Sequence, residues 1–216
     1  RGDSVSFFLV ASIGFLLGLR HALDADHVVA VTTIVSRERS FGRAALIGAW
    51  WGVGHSVALF GVGGAIIGFR LVVPPRVGLT LELGVAAMLI VLGFRNLLPG
   101  AGARIDRAGR QPFVIGIVHG LAGSAAVALL VLTTIPTALG GLAYLGVFGV
   151  GTIFGMTVVT ALLAVPATLV GERTVRFQRG IRLAAGVLSV GLGVVLAYEI
   201  VVGGGLFSVA PVWSAR

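Results

Sequence analysis

Five ionisable side chains fall within eight residues of an otherwise apolar stretch: Arg20, His21, Asp24, Asp26 and His27. Such groups are costly inside a bilayer and collect there where function requires them. Two imidazoles with one or two carboxylates form a borderline ligand set. It suits Ni(II), Co(II) or Zn(II), whereas Mg(II) and Ca(II) prefer oxygen alone. The chain has no cysteine, and its only methionines are Met88 and Met156, which disfavours Cu(I). The remaining histidines, His55 within G-H-S and His119, also lie in apolar runs. The expected metal residues are therefore His21, Asp24, Asp26, His27, His55 and His119. For His55 and His119 the competing reading is a core histidine bonded to a neighbouring helix.

On a straight helix His21, Asp24 and His27, three residues apart, form one stripe spread over about 120°. Asp26 then points nearly opposite to His21. Bringing both to one ion requires an unwound turn or a separate role for Asp26. Spacing alone does not choose between the two carboxylates. Arg20 and Asp24, four apart, are placed to pair.

The elements that carry these residues are membrane spans. The 216 residues are 57% hydrophobic and 11% charged, with a mean hydropathy of +1.06. Apolar runs of about 20 residues recur along the whole length, which one soluble core could not bury. The expected fold is an all-α integral membrane protein with about six transmembrane helices, near residues 5–36, 43–69, 78–98, 112–136, 140–170 and 181–205. The first is a retained span rather than a signal peptide, because it contains charges no signal peptide needs. It is longer than the roughly 30 Å hydrocarbon layer requires, so it must tilt, break or protrude. Its middle falls near residues 20 and 21, which puts the ionisable cluster at mid-membrane. The 34 glycines suit close helix packing, with Gly61, Gly64, Gly149, Gly151, Gly155, Gly186, Gly191 and Gly193 as expected contact points. Gly52, Gly54 and Ser56 around His55 are expected to admit the first span.

All 16 basic residues are arginine and the net charge is +8. They sit in short loops without an aromatic-interleaved basic stripe, which argues against nucleic acid and for the lipid bilayer as partner. The loops after spans one, three and five hold Arg37, Arg39, Arg43, Arg95, Arg104, Arg107, Arg110, Arg173, Arg176, Arg179 and Arg182, against Arg1, Arg70, Arg76 and Arg216 opposite. This bias makes the chain a multi-pass protein of the cytoplasmic membrane with both termini extracytoplasmic. Glu82 and Glu199 then fall toward the outer ends of spans three and six, where they are placed to attract cations; snorkelling beside Arg76 or water is the simpler reading.

The halves repeat. G-L-R-H-A-L-D-A-D-H-V-V-A from Gly18 aligns with G-I-V-H-G-L-A-G-S-A-A-V-A from Gly116, and the histidines coincide at an offset of 98 residues. G-H-S-V from Gly54 and G-M-T-V from Gly155 align at 101, and G-x-x-L-x-x-G-V from Gly78 and Gly180 at 102. With three spans each, residues 1–104 and 105–216 form a 3+3 inverted repeat, an architecture of secondary transporters. The second half has Ala122, Ser124 and Ala125 in place of Asp24, Asp26 and His27, so the first repeat supplies most ligands.

The run His21-Ala22-Leu23-Asp24-Ala25-Asp26-His27 resembles the signature of the nickel/cobalt transporter family, a histidine, four residues, then Asp-His. Gly54-His55-Ser56 is similar to that family's next-helix motif. The resemblance implies a secondary transporter of Ni(II) or Co(II), with His21, Asp26, His27 and His55 as the positions carried over. The carboxylate- and threonine-rich later motifs of the longer permeases are missing, and V-H-G-L-A-G-S-A-A from Val118 stands there instead, as in a shorter branch of urease accessory protein H-like transporters.

The expected function is permeation of Ni(II) or Co(II), with Zn(II) as a further candidate; the metal is cargo, and no cofactor is expected. Its entry from outside, coordination by His21, His27, a carboxylate and His55, and inward release complete the expectation. Efflux is the alternative. An intramembrane metalloenzyme is a weaker one, because no H-E-x-x-H general base is present.

Overall fold

The computed structural model describes residues 2–36, 38, 40–98, 109–135, 137–169 and 175–213, with the side chains of 2–10, 123–134, 166–169 and 175–178 left aside. Arg1, Arg37, Arg39, Arg104, Arg107, Arg173 and Arg216, the side chains of Arg176, Ser124 and Ala125, and most of the 99–111 loop lie outside this description.

The fold is all-helical among the described residues: α1 (Gly2–His21), α2 (Ala25–Val35), α3 (Phe41–Phe69), α4 (Pro75–Leu97), α5 (Arg110–Thr134), α6 (Ala138–Leu169) and α7 (Val175–Tyr198), continued by a π-helical turn, Glu199–Gly203. Four stretches within it are long and apolar enough to cross a membrane: Phe41–Phe69, Pro75–Leu97, Ala138–Val165 and Arg179–Gly203. Side-chain distribution agrees with a lipid surround. Leu16, Phe60, Val91, Phe154 and Leu162 are exposed, while Thr33, Asn96, Thr152, Thr160, Ser189 and three histidines are buried. In lipid the apolar side chains need no shelter, and the polar ones turn inward, away from the hydrocarbon.

The first expected span is broken. α1 ends at His21, three residues turn, and α2 starts at Ala25. Asp24 occupies the position before α2 with an extended backbone, ψ 145°, yet its side chain does not cap the helix. It is an Asp at a place where Asp is favoured, with its carboxylate engaged elsewhere.

α3 packs on α5 and α6, α4 on α7, and α1 on α6. Glycines set the spacing. A Cβ on Gly54 would collide with the Phe113 carbonyl of α5, one on Gly116 with the Trp51 carbonyl of α3, and one on Gly151 with the Phe15 carbonyl of α1. Among the expected contact glycines, Gly155, Gly186 and Gly193 are likewise tight, and Gly64 and Gly149 each meet one side chain at 3.3 Å. Gly61 and Gly191 face open space. The small residues around His55 do not receive the first span. Gly54 receives α5, while Gly52 and Ser56 receive α6, where Ser56 Oγ donates to the Gly149 carbonyl at 3.1 Å. The reason is that α1 takes its own glycine contact, Gly18 on Phe148, with α6.

Candidate metal centre

The break between α1 and α2 brings the ionisable residues together. Backbone bonds from Leu23 N to Arg20 O (2.9 Å) and Asp24 N to His21 O (3.1 Å) close a tight turn, and Val28 N to Asp24 O (3.0 Å) starts the next helix. His21 therefore stands at the end of one helix and Asp26 and His27 in the first turn of another, where a carboxylate is favoured by the helix dipole. α3 contributes His55 at its midpoint, and α5 contributes His119.

All four histidines form one cluster. His27 is at its centre, with ring centroids 4.2 Å from His119, 4.5 Å from His21 and 5.1 Å from His55. His27, His55 and His119 are almost completely buried. Two three-residue sets, His21/His27/His55 and Asp26/His27/His119, have ligand atoms within 4.8 Å of one another, and they share His27.

The two carboxylates stand behind the imidazoles. Asp24 Oδ2 lies 2.7 Å from His21 Nδ1. Asp26 Oδ1 lies 3.0 Å from His27 Nδ1 and also accepts from the His27 backbone N–H at 2.9 Å. Asp26 Oδ2 lies 2.9 Å from His119 Nε2. An ionised carboxylate only accepts, so each facing ring nitrogen carries the proton and the opposite nitrogen keeps its lone pair. These free nitrogens are His21 Nε2, His27 Nε2 and His119 Nδ1. His21 Nε2 sits 3.2 Å from His55 Nε2, while His27 Nε2, His55 Nδ1 and His119 Nδ1 are buried with no protein partner. Buried polar nitrogens are ordinarily paired. Several unpaired lone pairs in one cluster form an electron-rich pocket of a kind that can hold a cation.

A cavity of about 320 Å³ adjoins the cluster, lined by His21, Asp24, Asp26, His27, His119 and Glu82, with Val85, Leu192 and Leu196 among its apolar walls. Three features differ from the sequence expectation. The Asp24 carboxylate bonds His21 rather than Arg20. Glu82 faces this cavity instead of Arg76, whose guanidinium donates to the Ser208 carbonyl at 3.0 Å. Trp51, which composition left unassigned, packs its ring 5.6 Å from His27 and 5.7 Å from His119. Its position one turn before His55 on α3 was the available signal.

No family model and no solved structure matches the chain. Curated relatives do. The urease accessory protein UreH of Bacillus sp. (strain TB-90) is 34% identical over 169 residues, covering 70% of this chain and 74% of that protein. A chloroplast protein, FOR GROWTH AND FERTILITY 1 of Arabidopsis thaliana, is 29% identical over 65% of this chain and 45% of its own length. The nickel transporter NicT of Mycobacterium tuberculosis is 35% identical over a shorter stretch, 31% of this chain and 18% of its own. With the His-x4-Asp-His run at the heart of the cluster and UreH matched over nearly three quarters of its length, the chain is a membrane protein that belongs to the nickel/cobalt transporter family, in its urease accessory protein H-like branch.

Proposed function

We propose that this chain is a secondary transporter that carries Ni(II) or Co(II) across the cytoplasmic membrane, and that His21, His27 and His55 hold the ion through ring nitrogens. The observation that supports this most strongly is the set of buried, unpartnered imidazole nitrogens backed by carboxylates. A carboxylate behind a ligating imidazole fixes its tautomer and raises its basicity. Asp24 and Asp26 fill that role here, so neither needs to bind the ion itself. They also supply two negative charges to balance a divalent cation. The second set, Asp26, His27 and His119, shares His27. An ion is passed from His21 and His55 toward His119 by exchanging imidazoles around that residue, with Asp26 remaining behind the rings.

The proposed architecture is a 3+3 inverted repeat of six spans, the first interrupted at residues 22–24, with 1–104 and 105–216 as its halves. Helix pairing supports it. α1 packs on α6 as α5 packs on α3, and α2 touches α7 as α5 touches α4. Gly54 lies against Ile117, and its repeat counterpart Gly155 lies against Leu19, the counterpart of Ile117. Rocking of such halves about a mid-membrane site alternates access. In this reading the chain is a permease rather than an enzyme, both termini are extracytoplasmic, and the ion moves inward. A divalent cation gains about 4.6 kcal/mol per 100 mV of inside-negative potential, so ATP is unnecessary.

Reconstitution into proteoliposomes tests the proposal. Nickel uptake is expected to accelerate under an inside-negative potassium diffusion potential and to be competed by cobalt more strongly than by magnesium. Uptake that ignores the potential would contradict potential-driven import and favour exchange-driven efflux. Failure of every first-row divalent ion to cross would remove the transporter reading.

A further inference from the structure

Glu82 is a carboxylate in a membrane-spanning helix and has no cationic partner among the described residues. It sits in the third turn of α4 and lines the same cavity as His21, Asp24, Asp26, His27 and His119. Its nearest basic residue on the helix, Arg76, is bonded to the Ser208 carbonyl. Its one bonded oxygen, Oε1, accepts from the Trp213 indole N–H at 2.8 Å. Trp213 itself belongs to the segment that follows the π-helical turn, and it covers Gly78, where a Cβ would collide with the indole. A carboxylate in a membrane helix whose described neighbours supply one hydrogen bond and no positive charge is expensive and calls for a cationic visitor.

A second observation points to the same visitor. His27 and His119 line this cavity, each is only 2% exposed, and each keeps an unpartnered ring nitrogen. The cavity is therefore walled on one side by histidines whose unpartnered nitrogens lie buried just behind its surface, and on another by a carboxylate. α4 begins at Pro75, directly after the 70–74 connection that the arginine bias assigns to the outer face, so Glu82 lies between that face and the histidines.

We infer that Glu82 is a staging residue for the transported divalent cation, holding it in the access cavity before it reaches the histidine cluster. The inference rests on the transport reading above. Its carboxylate attracts the hydrated ion, whose water is shed only when imidazole nitrogens replace it. Trp213 fixes one carboxylate oxygen and leaves the other for the ion's water shell. The competing view is that Glu82 merely ties down the chain after α7 through Trp213.

Two substitutions separate these views. Glu82→Gln removes the charge and keeps an oxygen to accept from Trp213; Trp213→Phe removes the indole donor and keeps the charge. In proteoliposomes Glu82→Gln is expected to raise the KM for nickel about tenfold at low ionic strength, with the maximal rate nearly unchanged, and added salt should shrink the difference. Trp213→Phe, which keeps the charge, is expected to raise the KM far less than Glu82→Gln does. A wild-type KM in Glu82→Gln, a lost maximal rate in place of a raised KM, or an equal KM rise in Trp213→Phe would overturn the inference. His27→Ala in the same assay distinguishes the failures. If it abolishes uptake while Glu82→Gln behaves as wild type, the staging role alone falls; if it transports normally, the histidine site and the staging role fall together.

Discussion

Asp26 stands behind two imidazoles, 3.0 Å from His27 Nδ1 and 2.9 Å from His119 Nε2. Replacing it by Asn keeps the shape but removes the charge and turns one acceptor into an N–H donor. That donor then faces a ring N–H, so one of the two histidines must change tautomer or lose its bond. Counting across the ring and a metal–nitrogen bond of about 2.1 Å, the carboxylate lies about 7 Å from an ion on the far nitrogen. At an effective dielectric of about 20, one negative charge at that distance attracts a divalent ion by about 5 kcal/mol. Water and the amide dipole recover much of it, and losing a carboxylate behind a ligating imidazole typically costs about 10- to 100-fold in affinity. Asp26→Asn should accordingly weaken nickel binding about 30- to 100-fold, or about 2 to 2.7 kcal/mol. Asp24 backs His21 alone and its side chain is 50% exposed, so screening should limit the loss in Asp24→Asn to about fivefold. Titration calorimetry of nickel into the detergent-solubilised full chain measures both. A wild-type affinity in Asp26→Asn, or a larger loss in Asp24→Asn, would refute the assignment of Asp26 as the principal orienting carboxylate.

Packing and closure offer further checks. Gly116→Val should force α5 away from the Trp51 carbonyl and lower the thermal midpoint sharply, whereas Gly61→Ala, which enters open space, should leave it unchanged; equal midpoints would contradict the glycine-set spacing. Asn96 Nδ2 donates to the Thr33 carbonyl at 3.0 Å and to Ser36 Oγ at 3.2 Å, joining α4 to the end of α2. Asn96→Ala leaves those buried groups short of a donor and should destabilise the chain by about 1–3 kcal/mol in a denaturation series, and an unchanged transition would show that the pair is made good elsewhere.

Much of this was legible in the sequence because lipid makes polar residues conspicuous. The helix positions followed from apolar runs and arginine breaks, and the four histidines stood out as titratable groups where such groups are rare. The backbone at residues 22–24 was not legible. No proline or glycine marks the interruption, and only the favoured Asp before an acidic first turn hinted at it. That turn removes the conflict a straight helix imposes between Asp24 and Asp26, because each carboxylate finds its own imidazole. Partner choice was equally hidden. Gly52, Gly54 and Ser56 advertise a close approach without naming the approaching helix, and α5 and α6 take the place expected for the first span. Glu82 and Trp51 owe their surroundings to contacts between residues far apart in the chain, Glu82 with Trp213 and Trp51 with His27 and His119.

His27 belongs to both three-residue sets and presents a buried, unpartnered Nε2. The initial rate of nickel uptake into proteoliposomes by His27→Ala beside the wild-type chain therefore tests the account most directly. Loss of uptake to the level of protein-free vesicles, with the variant still folded by its thermal transition, is the expected result; uptake at the wild-type rate would contradict it.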